Sequence, residues 1–561
     1  MSISRTWKRV AAAVCAGVMA ASLAACGGED AALKKDESIV NVATISTSQL
    51  TENWNPLSPT ASQGTVGALY EALFFVNAAG GDDTLQPMLG ETYEFSDDYK
   101  ELTIKLKDGL KWSDGKPITA DDAVYTFNLI NDNSSLNGSG FHGKAEKIDD
   151  TTFKLTYDQI ATMTARSNLT GVPLVPKHVF EKMSDVTTDV NKDPVTSGPF
   201  TFKEEDFTPQ SYVFRKNPNY HEKGQPYIDG VRYTSYAGGQ ATQDAIVAGD
   251  IDWASNVFQD PEKQLAGAPV DYVTMPSSAQ VLVTCSSAEM GCTGPQTDVA
   301  VRKAIYYGMD RAQMNNLAFY GIFYDSSSSL TPVPENEKWL SKDVPESTVP
   351  EEANVEKAKQ LLEDAGYTLG SDGIYQKDGV RLSFEVPAIS GWTESINGVD
   401  VAGQQLKKVG IEMKAKQVSA NEMTELYSKG DYQIITQNMW YSGSEPYDFY
   451  NTFYASSATA KVGEKCINGW ARYSNPAVDS ALEAINSTND DNEKMKQYGI
   501  IQQQVYEDMP YIPMMRTATM VETSKDFTGW VTEDNVYAAP ASWGTWDTGI
   551  ILRTIKPAAD K

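Results

Sequence analysis

From Leu102 to Leu106 apolar and polar positions alternate, the period of a strand with one buried face. Lys107-Asp108-Gly109 predicts a turn after it, and Lys111-Trp112-Ser113-Asp114-Gly115 runs on to a second. Thr119-Ala120-Asp121-Asp122 is a capping box, a hydroxyl with a carboxylate three residues on. It opens a predicted helix with Ala123, Val124, Phe127 and Ile130 on one stripe. Phe153–Tyr157 and Tyr212–Phe214 predict further strands. From Asp298 the period changes to that of helices. Asp298 is placed to cap one bearing Val301, Ala304, Ile305, Gly308 and Met309. Asn354 is placed to cap another, with Val355, Ala358, Leu361, Leu362 and Ala365 inward and Gly366 at its end. Strands mixed with helices over such a length predict an α/β or α+β chain of two or three domains. No internal repeat is visible.

The first segment follows another pattern. Arg5, Lys8 and Arg9 precede a short, alanine-rich apolar run from Val10 to Leu23. That run is too short to span a bilayer and predicts a secretory leader over residues 1–25. No later stretch approaches the ~18 apolar residues of a membrane helix. Composition is that of a globular chain, 41% hydrophobic and 22% charged, with a net charge of −28. Loss of the basic leader, which holds no acid, makes the remainder still more acidic. Such a surface repels phosphate backbones, so nucleic acid is not an expected partner.

Motifs for chemistry are missing. His142, His178 and His221 lie far apart, with no metal-ligand spacing. There is no Gly-x-x-x-x-Gly-Lys-Ser/Thr loop and no Gly-x-Ser-x-Gly elbow. Gly138-Ser139-Gly140-Phe141-His142-Gly143 has glycines at dinucleotide-loop spacing, but a polar run precedes it where a strand should end, so it is expected to be a surface loop. No acidic pair stands out. No catalytic residue, metal or cofactor is therefore expected. In an extracytoplasmic compartment Cys285 and Cys292, either side of a six-residue polar loop, are expected to form a local disulfide, with Cys466 a free thiol.

Leu23-Ala24-Ala25-Cys26 resembles the lipobox of bacterial lipoproteins. The resemblance implies cleavage before Cys26, acylation of its sulfur, and a tether over residues 26–37 that anchors the protein to the cell membrane. A longer series of motifs resembles the extracellular solute-binding proteins typified by oligopeptide- and dipeptide-binding components of ABC importers. Tyr70-Glu71-Ala72-Leu73, Pro87-Met88-Leu89 and the run from Leu106 to Asp122 come first. Val175-Pro176-Lys177-His178, Ser197-Gly198-Pro199-Phe200, Arg215–Tyr220 and Ala248–Asp252 follow in the family's order. Val301–Arg311 and Ala365–Ile374 complete the series.

The resemblance implies a periplasmic-binding-protein-like α/β fold, two lobes joined by a hinge, with an extra domain in the first lobe. By that pattern the first lobe is 38–83, 196–284 and 525–561, the extra domain 84–195 and the second lobe 285–524. It implies a monomer that closes on an oligopeptide and delivers it to a permease served by separate ATPase subunits. An oligosaccharide ligand is the alternative, and an extracellular hydrolase a weaker one. Trp392, Trp440, Tyr441, Ser442, Gly443 and Glu445 fall where the family's second lobe lines the cleft. Peptide-binding relatives place an aspartate soon after the equivalent of Trp440 to hold the peptide's α-ammonium. Here no carboxylate occurs before Glu445, which leaves three readings open: Glu445 substitutes, the end is not clamped by charge, or the ligand is not a peptide.

Overall fold

The structure is a computed structural model that describes residues 38–46, 49–441 and 445–559. The predicted leader, Cys26 and the tether lie outside the described residues. Strand β1 (Ile39–Ala43) comes first. An antiparallel sheet follows, from β2 (Gly90–Phe95), β3 (Glu101–Leu106), β4 (Gly143–Lys147) and β5 (Thr152–Tyr157), in the order β2-β3-β5-β4. Helix α1 (Ala120–Asp132) lies between β3 and β4, and α2 (Thr162–Gly171) follows β5. The chain then rejoins β1 through β6 (Phe200–Thr201), β7 (Ser211–Lys216), β8 (Gly230–Thr234), α3 (Gly239–Ala248) and β9 (Trp253–Ala254).

The long strand β10 (Val270–Thr284) leads into the second lobe. That lobe holds α4 (Val299–Gly308), α5 (Arg311–Ala318), α6 (Val355–Asp364), β11 (Ser383–Ile389), α7 (Thr393–Leu406), β12 (Glu412–Val418) and β13 (Ile434–Met439). Three more helices follow: α8 (Tyr447–Tyr454), α9 (Pro476–Asn486) and α10 (Asp491–Asp508). The chain returns along β14 (Tyr511–Ser524) and ends with α11 (Trp546–Thr554). The large sheet runs β13-β10-β14-β9-β1-β8-β7-β6.

Local chemistry explains the elements that carry the fold. Leu102, Ile104 and Leu106 are buried and their strand neighbours half-buried, as alternation requires. At the start of α1 the Thr119 N–H donates to Asp122 Oδ2 at 2.9 Å. Asp298 and Asn354 accept from Ala300 N and Lys357 N, both at 3.0 Å, and so start α4 and α6. Asp114 accepts from the Lys116 N–H at 3.1 Å and meets His178 Nε2 at 2.9 Å, a turn staple.

One contiguous core takes Val40, Trp54 and Val231 together with Leu102, Ile104, Phe127 and Phe153, so the four-stranded sheet and the first lobe share an interior. The second lobe has two cores, one around Ile305 and Leu406, the other around Phe449 and Tyr498. Strands β10 and β14 pair through both lobes, with register shifts between Pro276 and Ala279 and between Gln280 and Val281. Val273 and Val521 belong to the first core; Leu282, Ile512 and Met514 belong to the second lobe. The cores thus change over at the bulge, and this irregular stretch is the hinge. The expected boundaries at 284/285 and 524/525 mark the ends of these strands, whereas the change of core falls within them.

Cys285 and Cys292 form a disulfide with their Cα atoms 5.5 Å apart, and Cys466 is a free thiol beside Arg472. No helix among the described residues is long and apolar enough to cross a membrane.

Candidate ligand-binding cleft

A cleft of about 1330 Å³ opens between the lobes. Its floor is the hinge, Met275–Ser278 with Arg516 and Thr519. One wall comes from α2 and the loop Gly138–His142, the other from Trp440, Tyr441 and the first half of α8. The segment Ala539–Asp547 closes a third side. This segment is seated closely: Gly67, at a φ of 93°, and Gly549 on α11 face each other so tightly that a Cβ on either would collide with the other's region of backbone.

Arg516 organises the floor. Its Nη2 donates to Glu335 Oε1 at 2.9 Å, its Nε donates to the Ser277 carbonyl at 3.0 Å, and its guanidinium lies 5.0 Å from the centre of the Tyr441 ring. Tyr441 is braced further by donating its hydroxyl to the Leu330 carbonyl at 3.1 Å. Burial pushes its phenol well above the usual range, so it stays protonated. Beside it Trp440 is 45% exposed, its ring set edge-on to Phe453 and Trp470 at 4.9 and 5.7 Å. A fixed, half-bare indole is a platform for a flat or apolar ligand face.

Two cleft carboxyls are displaced upward by burial: Asp448 to about 7 and Asp547 to about 6. Asp448 accepts from Ser167 Oγ at 3.3 Å, a contact from the second lobe to α2. Asp547 accepts from the Ala539 N–H at 2.6 Å, which fixes the closing segment.

The structure separates the residues singled out from sequence. Trp440 and Tyr441 stand in the cleft wall. Ser442 and Gly443 lie outside the described residues. Glu445 is turned inward, 5% exposed, with Lys494 Nζ donating to its two oxygens at 3.0 and 3.2 Å and Tyr498 OH at 3.3 Å. A carboxylate committed to a buried ammonium is not among the residues lining the cleft, a geometry that weighs against the first of the three readings, Glu445 as a substitute amine anchor. Trp392 is 44% exposed at the start of α7 and is not among the residues lining the cleft; its neighbours Thr393 and Glu394 line a separate cavity of about 660 Å³. The wall residues Asp448, Trp543 and Asp547 and the loop Gly138–His142 were not anticipated as a site. For that loop the sequence predicts a surface turn and no more.

Residues 84–461 match the family model described as the middle part of bacterial extracellular solute-binding proteins, family 5. The chain belongs to this family. The oligopeptide-binding protein AppA of Bacillus subtilis is 29% identical over 486 residues, covering 80% of this chain and 84% of that one. The family fold recurs in the periplasmic oligopeptide-binding protein of an oligopeptide ABC transporter from Thermotoga maritima, with a TM-score of 0.85 at 23% identity, covering 94% of this chain and all of that one. The same Thermotoga protein with mannohexaose bound superposes with a TM-score of 0.79 at 22% identity, again over 94% of this chain and all of that one.

Proposed function

We propose that the chain is the ligand-capturing component of an ABC importer, anchored outside the cell membrane by a lipidated Cys26 and acting as a monomer. It closes its lobes over an oligopeptide and hands it to a membrane permease driven by separate ATPase subunits. The observation that carries this reading is the size and lining of the cleft. Pockets for single small ligands reach about 1,000 Å³; this one, at about 1330 Å³, exceeds that, and both lobes line it with aromatic residues such as Trp440, Tyr441 and Trp543 among polar ones. Recognition then rests on main-chain hydrogen bonds, with Trp440 and Tyr441 as pocket walls. In this role the ligand is captured and released chemically unchanged.

An oligosaccharide is the second reading. It is favoured by the mannohexaose held by the Thermotoga protein of the same fold, and an indole platform suits a sugar face as well as a side chain. Calorimetry with pooled peptides of two to nine residues and with manno- and cello-oligosaccharides tests both. Micromolar or tighter binding of peptides, recovered intact, is the expected result. Binding of sugars alone moves the assignment to the second reading, and recovery of cleaved ligand overturns the non-catalytic role.

A further inference from the structure

The cleft does not end at its own walls. Trp543 lines it and also lines the separate 660 Å³ cavity and a third of about 400 Å³. Thr519, on the hinge strand β14, is likewise shared by the first two. The 660 Å³ cavity is also an inter-lobe space, with Gln240, Gln243 and Asn256 on the first lobe and Tyr320, Thr393 and Glu394 on the second. It is an annex beside the cleft, with Trp543 and Thr519 on their common border.

The indole on this border is 44% exposed, yet the backbone that carries it is fixed. Ser542 is 1% exposed; its N–H donates to Ser255 Oγ at 2.9 Å and its carbonyl accepts from Gln63 Nε2 at 2.8 Å. The Gly544 N–H donates to the Ala541 carbonyl at 2.9 Å. A large apolar ring held bare on a rigid segment, at the meeting of three cavities, is disposed as a contact surface.

The annex differs in chemistry from the cleft. Its walls are rich in side-chain amides, and Glu394 is the only carboxylate or cation among the residues lining it. Gln243 donates its amide to the Val257 carbonyl at 2.8 Å, Gln264 to the Gln259 carbonyl at 2.8 Å and Asn256 to the Gly239 carbonyl at 3.3 Å. Each amide is thereby oriented on the backbone, with its own oxygen left as an acceptor. The amide oxygens accept from O–H and N–H donors, and Glu394 repels a carboxylate brought beside it.

We propose that the annex is an extension subsite, entered past Trp543, for an uncharged, hydroxyl- or amide-bearing end of a chain-like ligand. The proposal rests on the reading of the cleft as the ligand site. A peptide with neutral polar side chains and an oligosaccharide share the chemistry, and the test separates them.

Calorimetry is run on the full mature protein and on Trp543→Ala and Gln243→Leu. The probes are alanine peptides of two to nine residues ending in Gln-Ser, Lys-Lys or Glu-Glu, and manno-oligosaccharides of two to six units. The wild type should bind long members with a Gln-Ser end, or long sugars, more tightly than short members or those ending in Glu-Glu. Trp543→Ala should weaken the long members by roughly tenfold, the usual loss for a buried aromatic anchor, and the short ones, which meet the same cleft wall, distinctly less. Gln243→Leu should reduce the preference for Gln-Ser over Glu-Glu without changing binding of the short members. Equal loss for short and long members, or none, overturns the subsite while leaving the cleft reading intact. Binding of sugars alone with the same length dependence keeps the subsite and removes the peptide. No binding of any probe by the wild type overturns both.

Discussion

The side chain of Asn486 on α9 accepts a hydrogen bond from the Met163 N–H at the start of α2, 3.0 Å away and across the cleft. The next amide, Thr164, reaches the same oxygen at 3.3 Å. Ala161, at the helix start, has no side chain able to cap, so a residue of the second lobe caps a helix of the first. Thr162 Oγ1 lies 3.1 Å from the Asn486 and Thr488 carbonyls, and Met163 is buried in the core around Phe449 and Tyr498. These contacts exist only while the lobes are together.

Asn486→Ala is therefore expected to shift the unliganded protein toward an open form. Two lost hydrogen bonds at roughly 0.5–1.5 kcal/mol each would weaken apparent ligand affinity by about five- to a hundredfold through the closed-state population. Small-angle scattering of the free protein should show a larger radius of gyration. Unchanged scattering with unchanged affinity would count against the clasp.

Glu445→Gln is expected to damage stability and to leave recognition of a ligand amine untouched. Lys494 and Glu445 are both nearly buried, and removing one partner strands the other charge, at a cost of about 3–5 kcal/mol. Chemical denaturation should show the loss. Equal affinities for a free and an N-acetylated peptide, in variant and wild type alike, are the matching result in calorimetry.

Glu522 sets a dependence on pH. It lies on β14 between β9 and β10; Oε2 accepts from the Asn256 N–H at 3.2 Å, and Oε1 is buried with no partner. Burial pushes its carboxyl up to about 8. A carboxyl raised on folding holds its proton longer in the native than in the unfolded chain, so stability falls as pH rises from about 4.5 toward 8 and levels above. Glu522→Gln should remove this contribution, matching wild type near pH 5 and exceeding it by about 1–3 kcal/mol at pH 8. Urea midpoints at the two pH values decide it, and a variant less stable than wild type at pH 8 would contradict the assignment.

Cys26→Ala is expected to release the protein from the membrane fraction, with loss of a diacylglycerol-sized mass from the intact chain. Retention of the variant on membranes, together with an unacylated wild-type mass, would refute the anchor.

Much of the fold is written locally. The alternation at Leu102–Leu106, the box at Thr119–Asp122 and the caps at Asp298 and Asn354 each depend on residues within a turn or a strand. The site depends on long-range pairing and is less legible. Glu445 reads as a cleft acid because Lys494 stands on another helix, forty-nine residues later. Trp543 reads as an unremarked residue near the end of the chain, because its importance comes from three cavities meeting there. The loop Gly138–His142 reads as a surface turn, whereas Phe141 within it is buried in the first core and its other residues face the cleft, a division that local sequence does not show. Trp440 and Tyr441 could be singled out because the motif around them travels as one short segment.

The sheet order has a consequence for how this chain is made. Strand β14 lies between β10 and β9 and contributes to the interior of both lobes, yet it is synthesised after nearly everything else. Both interiors remain incomplete until Tyr511–Ser524 has emerged. A polypeptide exported from its N-terminus would thus remain threadable through most of its translocation, and a premature stop before residue 511 would leave both halves without their keystone strand.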